Sequence, residues 1–120
     1  MIAILNALAA LLTIGFGLFG FLAPAHTAQA LDLAPTNSTM GLSEMRASVG
    51  GLFVITGLAV LWLNNPVAYM MLGVVYAGAA LGRFVSVALD NPPLLKALTF
   101  GGIELVLALW LILANMNKAT

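Results

Sequence analysis

Two charged residues lie deep inside apolar stretches of the sequence, and their positions point to chemistry or to a strong structural contact. Arg83 stands seven residues before Asp90, and Glu104 stands eight residues after Lys96. At a helical rise of about 1.5 Å per residue, both side chains lie on the order of 10 Å inside their helices. An unpaired charge at such a depth in a bilayer costs at least about 2.5–3.5 kcal/mol. We therefore predict that Arg83 and Glu104 interact with each other.

Two further charged residues complete a group of four. Glu44 and Arg46 lie at the start of another apolar stretch, and with the first pair they can form a neutral cluster of two acids and two bases. Such a cluster either locks helices together or carries protons, ions or a polar ligand, because intramembrane ionisable groups are functional candidates by default. Both interpretations stay open at the level of sequence.

The composition explains why these charges are expected to lie in a membrane. Only 7% of the 120 residues are charged and 62% are hydrophobic, and the mean hydropathy is +1.11. Soluble domains carry roughly 25% charged residues, which this chain cannot supply for a water-exposed surface. The composition therefore predicts an integral membrane protein, with membrane lipid as its solvent.

The same composition excludes several functional classes. The chain has no cysteine, a single histidine and a net charge of zero, so disulfide frameworks, thiolate catalysis and Cys-ligated metals are absent. No basic run is available to bind nucleic acid. We expect His26 to be an interfacial loop residue rather than a metal or pigment ligand. No catalytic residue, metal site or cofactor is predicted, and we expect the protein not to be an enzyme.

Four stretches are long enough to cross a bilayer, which requires about 20 apolar residues. The predicted spans are about 2–23, 45–63, 66–89 and 94–114, joined by a long loop at about 25–42. Residues Asn64, Asn65 and Pro66 predict a short turn, with Pro66 at the first helical position. The prediction is an all-α four-helix bundle in a single domain, 1–120, with both termini on the same side of the membrane.

An alternative interpretation of the N-terminus is a cleaved signal peptide. Residues Ala28-Gln29-Ala30 have the small side chains of a cleavage site. The apolar run before them is about 22 residues long, however, which exceeds the 7–15 residues of a signal-peptide core, and no Lys or Arg precedes it. We therefore expect a retained first span.

Small residues predict where helices approach each other closely. Gly50 and Gly51 follow the Glu44-x-Arg46 pair, and Gly78 and Gly82 are spaced four residues apart. Lipid supplies no hydrophobic force between helices, so close packing through small residues becomes important. We expect these four glycines to pack helices within the chain, with contact to a partner chain as the alternative.

The combination of motifs resembles a bacterial family of small four-helix membrane proteins known only as a domain of unknown function. The resemblance rests on Glu44-x-Arg46 with Gly50-Gly51, on Gly82-Arg83-x-x-Ser86, on Asp90 before its prolines, and on Glu104. It covers essentially the whole chain. One departure is Asn91, which stands where a glycine is expected. The resemblance implies the four-helix fold and singles out the same four charged residues, but it implies no known activity. We expect the protein to be integral to a bacterial inner membrane, cytoplasmic or intracytoplasmic.

Function is expected to follow from association rather than catalysis. Apolar, glycine-rich helices without catalytic ligands favour a small accessory or assembly subunit of a larger photosynthetic or respiratory complex. Its partners would be other integral membrane subunits, including pigment-bearing ones. The alternative is a small oligomeric transporter or channel in which Arg83 and Glu104 form the polar site.

Overall fold

The computed structural model describes residues 1–118, and every regular element in this part of the chain is a helix. Four of the helices are long and apolar enough to cross a membrane. The prediction of an all-α membrane protein with four spans is therefore confirmed. The five helices are α1 (Ile2–Leu22), α2 (Pro24–Ala30), α3 (Met40–Leu63), α4 (Pro66–Leu89) and α5 (Leu94–Asn115).

The predicted start of the second span and the long loop before it are partly wrong. Helix α3 begins at Met40 rather than near residue 45, so Ser43 lies inside the helix. The segment from Met40 to Leu63 contains no proline, and the helix extends towards Thr39. The loop also contains α2, because Pro24 occupies the first helical position, where a missing N–H has no cost.

Helix α3 contains a seven-residue π-helical segment, Met45–Gly51, for which the sequence carries no clear signal. The Leu52 N–H donates to the Ala47 carbonyl, five residues back, which is the π-helical spacing. Ser48 Oγ donates to the Glu44 carbonyl at 2.7 Å, the oxygen that would accept the Ser48 N–H in an α-helix. Two adjacent glycines weaken the regular helix in the same segment.

The chain divides into two compact units, and the first contains α1, α2 and α3. Glycines form the contact between α1 and α3, which we call the seam. A Cβ placed on Gly17 would lie 2.7 Å from the Val54 nitrogen, and one on Gly20 would lie 2.8 Å from the Val49 carbonyl carbon. Only glycine permits the two backbones to approach this closely.

The second unit contains α4 and α5, which form an antiparallel hairpin. Asn65 caps α4 by accepting the Ala68 N–H at 2.9 Å, and Pro66 occupies the predicted first position. Between the two helices, Asn91 has a φ of 51°. This left-handed conformation favours glycine and is tolerated by asparagine, which accounts physically for the asparagine found where a glycine is expected.

Candidate functional site

Arg83 and Glu104 form an ion pair between α4 and α5, from Arg83 Nη2 to Glu104 Oε1. Glu104 is the eleventh of the 22 residues of α5, so its carboxylate lies near the middle of that helix. The Glu104 side chain is 13% exposed and that of Arg83 is 34% exposed. The hairpin therefore brings together the two intramembrane charges whose sequence positions predict an interaction.

The residues around this pair come from the same face of α5 as Glu104. The Phe100 ring lies one turn before Glu104, and its centroid is 5.4 Å from Arg83 Cζ, within the range of a cation–π interaction. Gly101 lies under the arginine stem, since a Cβ there would come within 3.1 Å of Arg83 Cγ and of the Phe84 ring. Because Gly101 has no side chain, the Arg83 side chain can lie against α5 at this position.

The contact between the two charged groups leaves part of each group unused. Arg83 Nε and Glu104 Oε2 are both buried, and neither has a hydrogen-bond partner within residues 1–118. A buried donor or acceptor without a partner costs roughly 1–3 kcal/mol, and more when it is charged. The pair therefore offers one donor and one acceptor that a water molecule, a proton or a small polar ligand can use.

The other two predicted members of the cluster lie in the first unit. Arg46 Nη1 donates to the Phe21 carbonyl at 2.5 Å, at the C-terminal end of α1. A cation suits this end of a helix, where carbonyls lack partners and the helix dipole is negative. Glu44 is exposed, and its backbone carbonyl accepts from Ser48. A closed cluster of all four residues stays a prediction.

The four glycines predicted to pack helices behave differently from one another. A Cβ on Gly50 would lie 2.7 Å from the Phe21 nitrogen, which is a close backbone approach, whereas one on Gly51 would meet only ordinary contacts at 3.4 Å or more. At Gly78 and Gly82 a Cβ would meet nothing within 4 Å. Gly78 and Gly82 therefore do not pack against α5 in the hairpin, and their packing against another helix of the chain or against a partner chain stays a prediction.

The glycine that brings the hairpin helices together is one that the GxxxG spacing does not mark. A Cβ on Gly73 would lie 2.8 Å from the Leu111 Cβ and 3.1 Å from the Ile112 nitrogen. Gly73 belongs to no GxxxG pair, since the small residue four positions after it is Ala77, and the GxxxG spacing draws attention to Gly78 and Gly82 instead. Its periodicity could have identified it, since Gly73 and the buried Ala80 are one heptad apart on one face of α4.

Buried polar residues within the spans are a further feature that the predicted site leaves out. Asn6 and Thr13 lie seven residues apart in α1 and are 4% and 2% exposed. Thr13 Oγ1 donates to the Ala9 carbonyl at 2.8 Å. An asparagine in an otherwise apolar span is a detectable signal, because polar groups are costly in hydrocarbon and turn towards protein.

No metal centre is formed within residues 1–118, where no three His, Cys, Asp or Glu side chains are grouped to hold an ion. His26 lies exposed in α2. In comparison with known proteins, residues 1–115 match a family model described as "Domain of unknown function (DUF4345)". No curated protein and no solved structure gives a match.

Proposed function

The chain belongs to the DUF4345 family, a domain of unknown function, and we propose that it is a non-catalytic membrane protein that works by packing against other membrane subunits. It would act as an accessory or assembly subunit in a bacterial inner membrane, for example in a photosynthetic or respiratory complex. The Gly78 and Gly82 positions of α4, where an added Cβ would meet no atom within 4 Å, carry this proposal.

These two glycines lie at the centre of an exposed stripe that runs along α4. At 100° per residue, the four large apolar residues of the stripe fall on the same face as the glycines. The two glycines leave a shallow depression in the middle of this apolar stripe, and a second helix backbone can approach closely there. The flanking exposed residues are Met71, Val75, Val85 and Leu89.

The alternative occupant of the stripe is lipid, and the glycines argue against it. Each glycine in a helix interior costs about 1 kcal/mol relative to alanine. A lipid-facing position gains nothing in return, because acyl chains pack against larger side chains equally well. Close approach of a partner helix explains both glycines, since it is the interaction that larger residues prevent.

The double variant Gly78→Leu/Gly82→Leu tests the proposal, with Gly15→Leu as its control. A Cβ on Gly15 in α1 would also meet no atom within 4 Å, so both changes add bulk at open helical sites. The measurement is the mass of the tagged protein extracted from native membranes in mild detergent. We expect wild type and Gly15→Leu to migrate as a complex and the double variant to migrate as the 12.4 kDa chain alone.

Site-specific crosslinking then identifies the contact. Because the chain has no cysteine, a single cysteine introduced as Gly82→Cys can carry a short photocrosslinker on the α4 stripe. We expect a specific adduct with another membrane protein from this position and none from Gly15→Cys. A wild-type protein that is monomeric in native membranes, or a complex that survives the double leucine variant, would contradict the proposal.

A small transporter or channel is the second candidate, and the unsatisfied atoms of the Arg83–Glu104 pair favour it. Glu104 Oε2 and Arg83 Nε are buried within the spans without partners in the described chain, as expected for groups that exchange a proton or bind a solute. Proton or solute flux into proteoliposomes tests this candidate. Flux that Glu104→Gln abolishes while the protein stays folded would favour transport over assembly.

A further inference from the structure

An open groove of about 620 Å³ lies in the first unit, where the end of α1 meets the start of α3. The polar residues of its lining are Thr39, Ser43 and Arg46. Among the described residues that line the groove, Arg46 alone carries a charge. The apolar part of the lining includes Phe21, Leu42 and Gly51.

The guanidinium of Arg46 is held in place and still has donors to offer. Its Nη1 donates to the Phe21 carbonyl, which fixes the group at the end of α1. The side chain is exposed, and no acceptor within residues 1–118 takes its remaining N–H groups. A guanidinium carries five N–H donors in a planar fork, an arrangement that matches the oxygens of a phosphate.

The position of Arg46 along α3 places the groove at the edge of the bilayer. Leu63, at the other end of this helix, lies 17 residues away, which corresponds to about 26 Å at a helical rise of 1.5 Å per residue. The hydrocarbon core is about 30 Å thick. A helix that begins its crossing at Leu63 therefore brings the Arg46 backbone to within about 4 Å of the opposite edge of the core. The long arginine side chain can extend from there to the headgroups.

We propose that this groove binds an anionic phospholipid. The phosphate binds Arg46, and an acyl chain lies along the apolar lining residues. The hydroxyls of Thr39 and Ser43 line the same groove and can donate to the phosphate oxygens. Gly51 adds no side chain to the groove, and the nearest side-chain atom to a Cβ placed there would be Phe21 Cδ2, at 3.9 Å. The groove therefore stays open at this position. The lining offers no carboxylate to a choline or amine headgroup, so an anionic lipid is preferred.

Native mass spectrometry of the delipidated full chain in detergent tests this site. The probes are dioleoylphosphatidylglycerol and dioleoylphosphatidylcholine, which share acyl chains and differ in headgroup. Both lipids carry a phosphate that Arg46 can bind, but phosphatidylcholine adds a quaternary ammonium that the Arg46 cation repels. This repulsion predicts about tenfold tighter binding of the anionic lipid. We expect Arg46→Gln to remove this preference, and Lys118→Gln, which deletes one positive charge outside the groove, to retain it.

A second variant separates the groove from the fold. Arg46→Gln also removes the bond to the Phe21 carbonyl, whereas Ala47→Trp fills the groove from an exposed lining position and leaves Arg46 in place. We expect Ala47→Trp to lose the preference while it keeps the wild-type helical circular dichroism. Equal binding of both lipids, or a preference that survives either variant, would overturn the proposal. Displacement of the lipid by millimolar inorganic phosphate would also overturn it, since the site would then bind a free anion.

Discussion

The seam between α1 and α3 predicts that Gly50→Ala destabilises the protein although it adds a single methyl group. The new Cβ would lie 2.7 Å from the Phe21 nitrogen, 2.8 Å from Phe21 Cα and 3.0 Å from the Gly20 carbonyl carbon. All three are backbone atoms, which cannot move aside by a change of rotamer. The two helices must therefore separate.

The size of the effect follows from these distances. Ordinary contact at a Cβ begins near 3.4 Å, so the seam must open by roughly 0.7 Å, and a gap of 0.5–1 Å already forfeits a quarter to a half of each dispersion contact. Overpacking of this kind costs up to about 3 kcal/mol. The better helix propensity of alanine offsets about 1 kcal/mol of this cost. We expect a net loss of about 2 kcal/mol in the free energy of unfolding.

The assay is an unfolding titration with SDS in mixed micelles, followed by tryptophan fluorescence, with Gly82→Ala as the matched control. A Cβ on Gly82 meets nothing within 4 Å, so this variant is expected to gain up to about 1 kcal/mol from helix propensity. The same chemical change should thus have opposite signs at the two positions. A Gly50→Ala variant as stable as wild type would refute the close approach of α1 and α3.

Three further predictions can be measured in the same titration. Arg83→Met and Glu104→Met should each destabilise by about 3–5 kcal/mol, because each leaves the other charge buried, whereas the double variant should lose much less; additive losses would contradict the pairing. Asn65→Ala should lower the free energy of unfolding by about 1 kcal/mol, because the α4 cap is lost. The exposed loop variant Asn37→Ala is the control. An unchanged free energy in Asn65→Ala would exclude a capping role. Asn91→Gly should be neutral or stabilising and Asn91→Ala destabilising by about 1 kcal/mol, because φ is 51°; equal effects of the two changes would contradict this turn.

The spans are predictable because their signal is local and repeated many times. The sequence predicts a helix at 66–89, and α4 is found at Pro66–Leu89, since prolines and asparagines mark both of its ends. The start of α3 is less predictable. Ser43 and Glu44 resemble a helix start, yet the segment from Met40 is equally able to continue the helix, and boundaries of this kind depend on small free-energy differences.

The site is predictable in part. The interaction of Arg83 with Glu104 follows from two charges on consecutive helices of a hairpin, where the cost of burial leaves few alternatives. The role of Arg46 is not predictable in the same way. Its partner is the carbonyl of Phe21, 25 residues away, and a backbone carbonyl has no signature in the sequence.

The sequence by itself determined the solvent, the number of spans and the residues that cannot remain unpaired, because hydrophobicity and charge are properties of each residue. Only the tertiary structure decided which glycines meet a neighbour. Gly50 and Gly82 are the same residue type in similar apolar stretches, yet a Cβ on Gly50 would meet backbone atoms and a Cβ on Gly82 would meet nothing within 4 Å. Packing depends on the rotation of each helix about its axis, which is a property of the assembled helices and not of any local pattern.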